Sequence, residues 1–348
     1  WDNFFRHNKQ LILVLCGSSP SFMINTVVKS KALYNRSQYE IPLKPFNLIE
    51  TQHFLPRQSK REILNAFLTV GGIPEYLKKI RGKTSVFPSL CQNAFTPGAY
   101  FAHEYERIFT SSLSDNPAYK SILDFLSKQT HASRDDIAKH LKLKTGGWLT
   151  ELLDNLFLCG FIQKYTPYNL NEGSLLTRYS ISDAYLQFYY KFIKPKKRDI
   201  AQGAFQKDPT KALNMSTYQQ WLGYALERMC RQYQHVIAQS LGFGGVQYLA
   251  GPFYNRATNK ADPGYQIDLV FDRADHVFTI CECKYTQTPV GTSVINEFET
   301  KLSRFPNKQN KTLHKVLIAP AGVEQAVIDR AYFDAVITFD DLFDERNW

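Results

Sequence analysis

The clearest hydrophobic pattern lies in the last third of the chain. Residues 266–271 and 277–285 are two β-rich apolar runs separated by Arg273-Ala274-Asp275-His276, a spacing that predicts an antiparallel hairpin. A long helix is predicted over residues 215–239, ended by the glycine-rich stretch that follows Leu241. Beyond the hairpin, helical patterns at 293–305 and 323–331 alternate with strand patterns at 315–319 and 335–339. Helix, about three strands, helix, strand, helix, strand is the order of an α/β unit. Upstream, residues 117–129, 134–141 and 145–159 predict helices, with Ser133 and Asp136 forming a capping box before the second. Residues 161–165 and 178–181 can pair as a hairpin, which completes a winged helix-turn-helix plan. An aromatic helix is predicted at 183–193 and a linker at 195–211. Near the start, residues 11–16 form a continuous apolar run closed by Gly17-Ser18-Ser19-Pro20. That predicts a strand buried on both faces of a parallel sheet. A short helix at 22–30, a strand at 39–43 and a helix at 58–70 follow; Gly71-Gly72-Ile73-Pro74 stops the last, and another helix runs from 75 to 80.

Composition narrows the class. The 348 residues suit two or three domains. No stretch approaches the length of uncharged apolar sequence that a membrane helix requires. The chain opens at Trp1 without a Met or a signal-peptide pattern, so it reads as a fragment. Six cysteines lie mostly inside apolar runs without CxxC spacing, which fits free thiols in a reducing cytoplasm. Cys281-Glu282-Cys283 resembles a metal hook, but a zinc site needs two further ligands at suitable spacing. The net charge of +10 is uneven: residues 1–214 hold 29 Lys and Arg against 17 Asp and Glu, and the remainder is close to neutral. A basic excess suits phosphate backbones, and it equally suits a merely soluble basic surface.

The chemistry sits in the hairpin. If its turn centres near Asp275, Asp268 faces Glu282, with Cβ atoms about 5 Å apart. Two carboxylates that close repel each other unless a cation lies between them, and a hard divalent ion with oxygen ligands is the natural solution. Strand alternation puts Lys284 on the face of Glu282 and turns Cys281 and Cys283 toward the core. A backbone carbonyl near Cys283 could complete a coordination shell, and Glu227 on the preceding helix could add a carboxylate. Mg²⁺ (or Mn²⁺), held by Asp268 and Glu282 with Lys284 beside a water, meets the needs of phosphodiester hydrolysis. The alternative is a half-exposed hairpin carrying ordinary charges.

At these residues the chain resembles the PD-(D/E)XK nuclease superfamily. More closely, it resembles archaeal and bacterial ATPases in which an AAA+ (STAND-like) core is followed by a winged helix and a C-terminal nuclease-like domain. Residues 11–19 resemble the sensor-1 strand, 33–36 the segment after it, 70–77 the lid motif, 179–190 the helix leaving the winged helix, and 222–227 with 267–284 the nuclease-like part. The resemblance implies an α/β and α+β multidomain chain. Its parts would be the end of a P-loop ATPase sheet (1–52), a helical lid (53–115), a winged helix (116–200) and a restriction-endonuclease-like domain (201–348). It also implies that Ser18 or Ser19 faces a γ-phosphate and that Arg36 acts as a finger or sensor. On spacing alone, the serines suit a helix N-cap and the arginine a surface loop. The P-loop and Walker B acids are missing, so ATP is expected only of a longer protein. Gly82-Lys83-Thr84 imitates a P-loop tail, but the helix before it and Leu77 in place of the first glycine exclude one.

In the winged helix, Lys142, Lys144, Thr145 and Trp148 stand where DNA contacts are made, unless that unit binds protein. Residues 194–198 form a basic run that suits either phosphate or a solvated linker. His103 and His131 have no evident catalytic partner, and no G-x-S-x-G or H-E-x-x-H motif occurs. Two functions follow. One is a DNA-handling, ATPase-related protein with a metal-dependent nuclease domain. The other is a non-catalytic switch that binds DNA or a protein partner, possible homo-oligomers included.

Overall fold

The computed structural model describes residues 7–8, 10–17, 39–82, 85–113, 116–142, 146–165, 177–255 and 264–348. They form a mixed α/β structure with two sheets. Among the described residues no helix is long and apolar enough to cross a membrane.

The first part is helical. Asn47 and Glu50 form a capping box that starts α1 (Leu48–Phe54), and Ser59 caps α2 (Lys60–Val70). Gly71 ends α2 with φ of 72°. Gly72 then lies so close to Phe46 that a Cβ would sit 1.8 Å from its carbonyl oxygen, so only glycine fits. Pro74 opens α3 (Pro74–Ile80). Two helices that the sequence pattern did not reveal follow, α4 (Val86–Phe95) and α5 (Tyr100–Ser112).

The middle part holds α6 (Pro117–Leu126), β1 (Ala132–Ser133), α7 (Arg134–Leu141), α8 (Gly147–Leu158), β2 (Ile162–Tyr165) and β3 (Arg178–Ile181). The Ser133–Asp136 capping box is present. The two long strands of the predicted hairpin pair as expected, and β1 joins β3 to make a three-stranded antiparallel sheet. Asp183 caps α9 (Ala184–Phe188), which runs on as a π-turn through Ile193. Its aromatic face packs into the core: Tyr185, Phe188 and Tyr189 are buried.

The last part begins with α10 (Lys197–Ala201), α11 (Met215–Gln232) and α12 (Gln234–Ser240). The long helix expected over 215–239 is thus two helices broken at Tyr233. A five-stranded sheet follows in the order β4 (Tyr248–Asn255), β5 (Tyr265–Arg273), β6 (Val277–Cys283), β7 (Thr312–Ile318) and β8 (Ala335–Ile337). The first three strands are antiparallel and the last three parallel. The crossover from β6 to β7 carries α13 (Ser293–Leu302), and α14 (Gln325–Asp329) lies between β7 and β8. Apolar residues of α11, including Leu222, Leu226 and Met229, share one buried cluster with Leu269, Phe271, Cys281 and Cys283. Phe298 of α13 packs with Val270, Phe278 and Ile280 in another.

Three expectations are corrected. Residues 11–16 form no strand: Ile12 is 88% and Val14 77% exposed. A strand needs a neighbour for its backbone groups, and among the described residues none pairs with it. The run at 39–43 is likewise irregular, with Ile41 and Leu43 exposed, for the same reason. Residues 194–198 are not an open linker; they sit in helical turns where Lys194 pairs with Asp124 and Lys197 with Glu106, so those two charges are already matched. The predicted helix at 22–30 lies outside the described residues.

Candidate active site

Three elements carry carboxylates to one end of the β5–β6 pair. The register sets Leu269 against Cys281 and Asp272 against Phe278, as a turn centred near Asp275 predicts. The paired ladder stops there, one step short of Asp268 and Glu282. On the other side of β5, Val270 pairs with Gly251 and Ile267 with Phe253. Asp268 and Leu269 together oppose Pro252 alone, which is a β-bulge. Pro252 lacks an N–H and so suits such a place on the edge strand. At the bulge the Asp268 carboxylate reaches the next strand, where Oδ2 accepts the Cys283 N–H at 2.9 Å. Asp268 is 7% and Glu282 2% exposed.

Glu282 carries its own cation partner. Lys301 Nζ of α13 lies 2.7 Å from both carboxylate oxygens. Lys284 Nζ is 3.4 Å from Glu282 Oε1 and 2.7 Å from Glu297 Oε2 of the same helix. Lys284 thus lies on the side of Glu282, as strand alternation requires. Burial works against its ammonium, but the bonds to Glu297 and Glu282 outweigh that and raise its pKa.

Glu227 completes the cluster from α11, whose buried face of Leu222, Ala225, Leu226, Met229 and Cys230 sets it beside the sheet. Burial and the neighbouring charge of Asp268 lift its pKa to about 7, against the pull of Arg231, and Glu282 adds to the rise. Burial and Asp268 raise Glu282 in the same way, opposed by Lys301 and Lys284. Arg231 Nη2 lies 3.5 Å from Glu227 Oε2. Three carboxylates therefore feel one another and are met by three basic side chains. Cys281 and Cys283 face the core, as expected. A bond with Cys230, burial and the nearby Asp268 and Glu227 keep the Cys283 thiol protonated, so it is no thiolate ligand.

Asp268, Glu282 and the Cys283 carbonyl are hard oxygen donors, the kind a Mg²⁺ or Mn²⁺ ion takes. The Lys301 ammonium, centred on both Glu282 oxygens, marks a place built for positive charge. Among the described residues no three His, Cys, Asp or Glu side chains already stand at metal-ligating separation. Lys301 must release Glu282 for an ion to bind there.

The other sequence candidates are dispersed. Ser18, Ser19 and Arg36 lie outside the described residues, as do Lys144, Thr145, Lys83 and Thr84. Lys142 is exposed and ends α7 in a left-handed conformation, and Trp148 at the start of α8 is 48% exposed. His131 lies against Tyr254 of β4, with ring centroids 5.3 Å apart and the rings tilted by 49°. Sequence reasoning missed Glu297, Lys301 and Arg231. Each pair stands at i, i+4 on a helix, Glu297 with Lys301 and Glu227 with Arg231, a spacing that marks a shared face but not what the face meets.

Comparison with curated proteins finds a similarity of 27% identity over 227 residues to an uncharacterized protein of Methanocaldococcus jannaschii. The match covers 65% of this chain and 50% of the relative, so the chain spans about half the relative's length. No family model matches the sequence.

Proposed function

We propose that residues 215–348 are a metal-dependent phosphodiester hydrolase of the PD-(D/E)XK type acting on DNA, preceded by a winged helix in residues 117–181. One observation carries this reading: Glu227, Asp268 and Glu282 share one buried electrostatic cluster with Lys284 bonded to Glu282. Buried carboxylates that repel one another cost stability, and a site of this kind is retained where the charge has work to do.

Asp268, Glu282 and the Cys283 carbonyl would hold Mg²⁺ or Mn²⁺. When bound, the ion supplies a Lewis acid for phosphoryl oxygen and lowers the pKa of water. The chain's own groups do the rest. Lys284, kept charged by Glu297 and Glu282, orients the attacking water and offsets negative charge that grows on the phosphate. Glu227, poised to gain or lose a proton near neutral pH, handles the proton of that water. The Cys283 N–H fixes the Asp268 carboxylate. The link to an ATPase rests on sequence resemblance alone.

A second reading is favoured by the charge balance. Lys301, Lys284 and Arg231 already match the carboxylates, which suits a non-catalytic domain that binds DNA or a protein. The two separate on incubating the chain with plasmid and linear DNA in Mg²⁺ or Mn²⁺. Cleavage that is lost in Lys284→Ala and Asp268→Asn supports the hydrolase. Retarded DNA without cutting supports the binding domain.

A further inference from the structure

The three-stranded sheet of the middle part touches the edge of the five-stranded sheet beside the carboxylates. Tyr165, the last residue of β2, hydrogen-bonds with Tyr254 of β4. His131, just before β1, lies against the same Tyr254 ring. Tyr254 in turn lies within the fields of Glu227, Asp268 and Arg231. Tyr254 pairs in the ladder with Gln266, whose Nε2 lies 3.5 Å from Asp268 Oδ1, so the seam between the two sheets ends close to that carboxylate.

Two arginines stand along this seam. Arg231 gives one nitrogen to Glu227, but its Nη1 is buried and has no hydrogen-bond partner among the described residues. A buried guanidinium N–H left unmet is unfavourable, so an acceptor there is favoured. Arg178 opens β3, whose partner in the ladder is Tyr165. As opposed residues of an antiparallel ladder, Arg178 and Tyr165 share one face of the sheet, and the charge of Arg231 is also felt at this tyrosine. The charge of Arg178 is also felt at Asp136, which is already engaged by Ser133, and Arg178 makes no ion pair within 4 Å among the described residues.

We propose that Arg178 and Arg231, with the Tyr165–Tyr254 pair between them, form a phosphate-binding seam. It grips the backbone of a single nucleic-acid strand next to the phosphate presented to Asp268 and Glu282. Guanidinium groups match phosphate oxygens with two parallel N–H donors, and tyrosine rings offer stacking faces for unpaired bases. The basic excess of residues 1–214 supplies the long-range attraction. The seam rests on the hydrolase reading for its direction, but its binding does not require cleavage.

The test is fluorescence anisotropy of a labelled single-stranded oligonucleotide in EDTA, where no cutting occurs, over a series of salt concentrations. Wild type should bind with a steep salt dependence. Arg178→Gln with Arg231→Gln should weaken binding about tenfold and flatten the slope of log affinity against log salt by about 1.4, since each single-strand phosphate contact contributes about 0.7. Asp268→Asn should keep the full slope even where it abolishes cleavage. If the double variant fails to fold, Arg178→Gln alone, on a partly exposed strand, should flatten the slope by about 0.7. An unchanged slope in the folded arginine variants, or no binding by wild type, overturns the seam. Absence of Mg²⁺- or Mn²⁺-dependent cutting with the slope effect intact would overturn the hydrolase and leave the seam standing.

Discussion

Lys301 Nζ holds both carboxylate oxygens of Glu282 at 2.7 Å, and Glu282 is among the most deeply buried charges in the chain. The lysine comes from α13, the crossover helix between β6 and β7, so it can move away without breaking the sheet. In the proposed site it is a placeholder that keeps the carboxylate neutralised until a divalent cation arrives.

Replacing that lysine should separate stability from metal affinity. Lys301→Met leaves Glu282 with only the longer contact to Lys284. The metal-free protein should lose about 1–3 kcal/mol, the cost of an under-satisfied buried charge. Mg²⁺ should then raise its Tm more than that of wild type, because the competitor for Glu282 is gone. Thermal denaturation with and without Mg²⁺ measures both, and equal Mg²⁺ shifts in the two proteins would refute the placeholder role.

Glu227 gives a pH signature. Its folded pKa of about 7 lies above that of an ordinary glutamate, so the folded state binds the extra proton between about pH 4.5 and 7. Stability therefore falls as pH rises through that window. Glu227→Gln removes the penalty. Near pH 5 the variant should match wild type, and at pH 8 it should be more stable by up to about 3 kcal/mol. Urea denaturation in metal-free buffer at the two pH values tests this; a stability difference that does not grow with pH would count against the shared carboxylate field.

The first helices are tied to the strand end that follows Lys284. Asn65 of α2 bonds the Tyr285 hydroxyl, and Arg61 reaches the carbonyls of Thr286 at 2.9 Å and Gln287 at 3.0 Å. Arg61 also lies over the Phe339 ring, 5.3 Å from its centroid. Tyr285→Phe and Asn65→Ala should each cost about 1 kcal/mol, with clear non-additivity in the double variant. If the chain is the proposed hydrolase, both should also lower cleavage, since they loosen the residue next to Lys284. A double-mutant cycle by urea denaturation, run beside the cleavage assay, gives the answer. Additive effects would show that the bond couples nothing.

The hairpin was legible because its information is local. An alternating apolar pattern and a turn at Asp275 fix which residues face each other, so Asp268, Glu282 and Lys284 could be placed without the rest of the chain. The bulge at Asp268 was missed, although Pro252 in a β-rich run was its available signal. Lys301 and Arg231 were not legible as site residues, because helical spacing shows which residues share a face but not which partner that face meets. The tie from Arg61 to Gln287 spans most of the chain and left no mark in the pattern. The run at 11–16 failed for the opposite reason: its composition is that of a buried strand, but burial depends on a neighbour that local sequence does not name.

Everything proposed for the site depends on a divalent cation joining Asp268 to Glu282. Anomalous diffraction from crystals of the protein grown with Mn²⁺ tests this most directly. The account predicts one strong peak bonded to both carboxylates, with Lys301 turned away from Glu282, and no peak in Asp268→Asn. A wild-type structure at saturating Mn²⁺ with Lys301 still bound to Glu282 and no metal between the two carboxylates would contradict it.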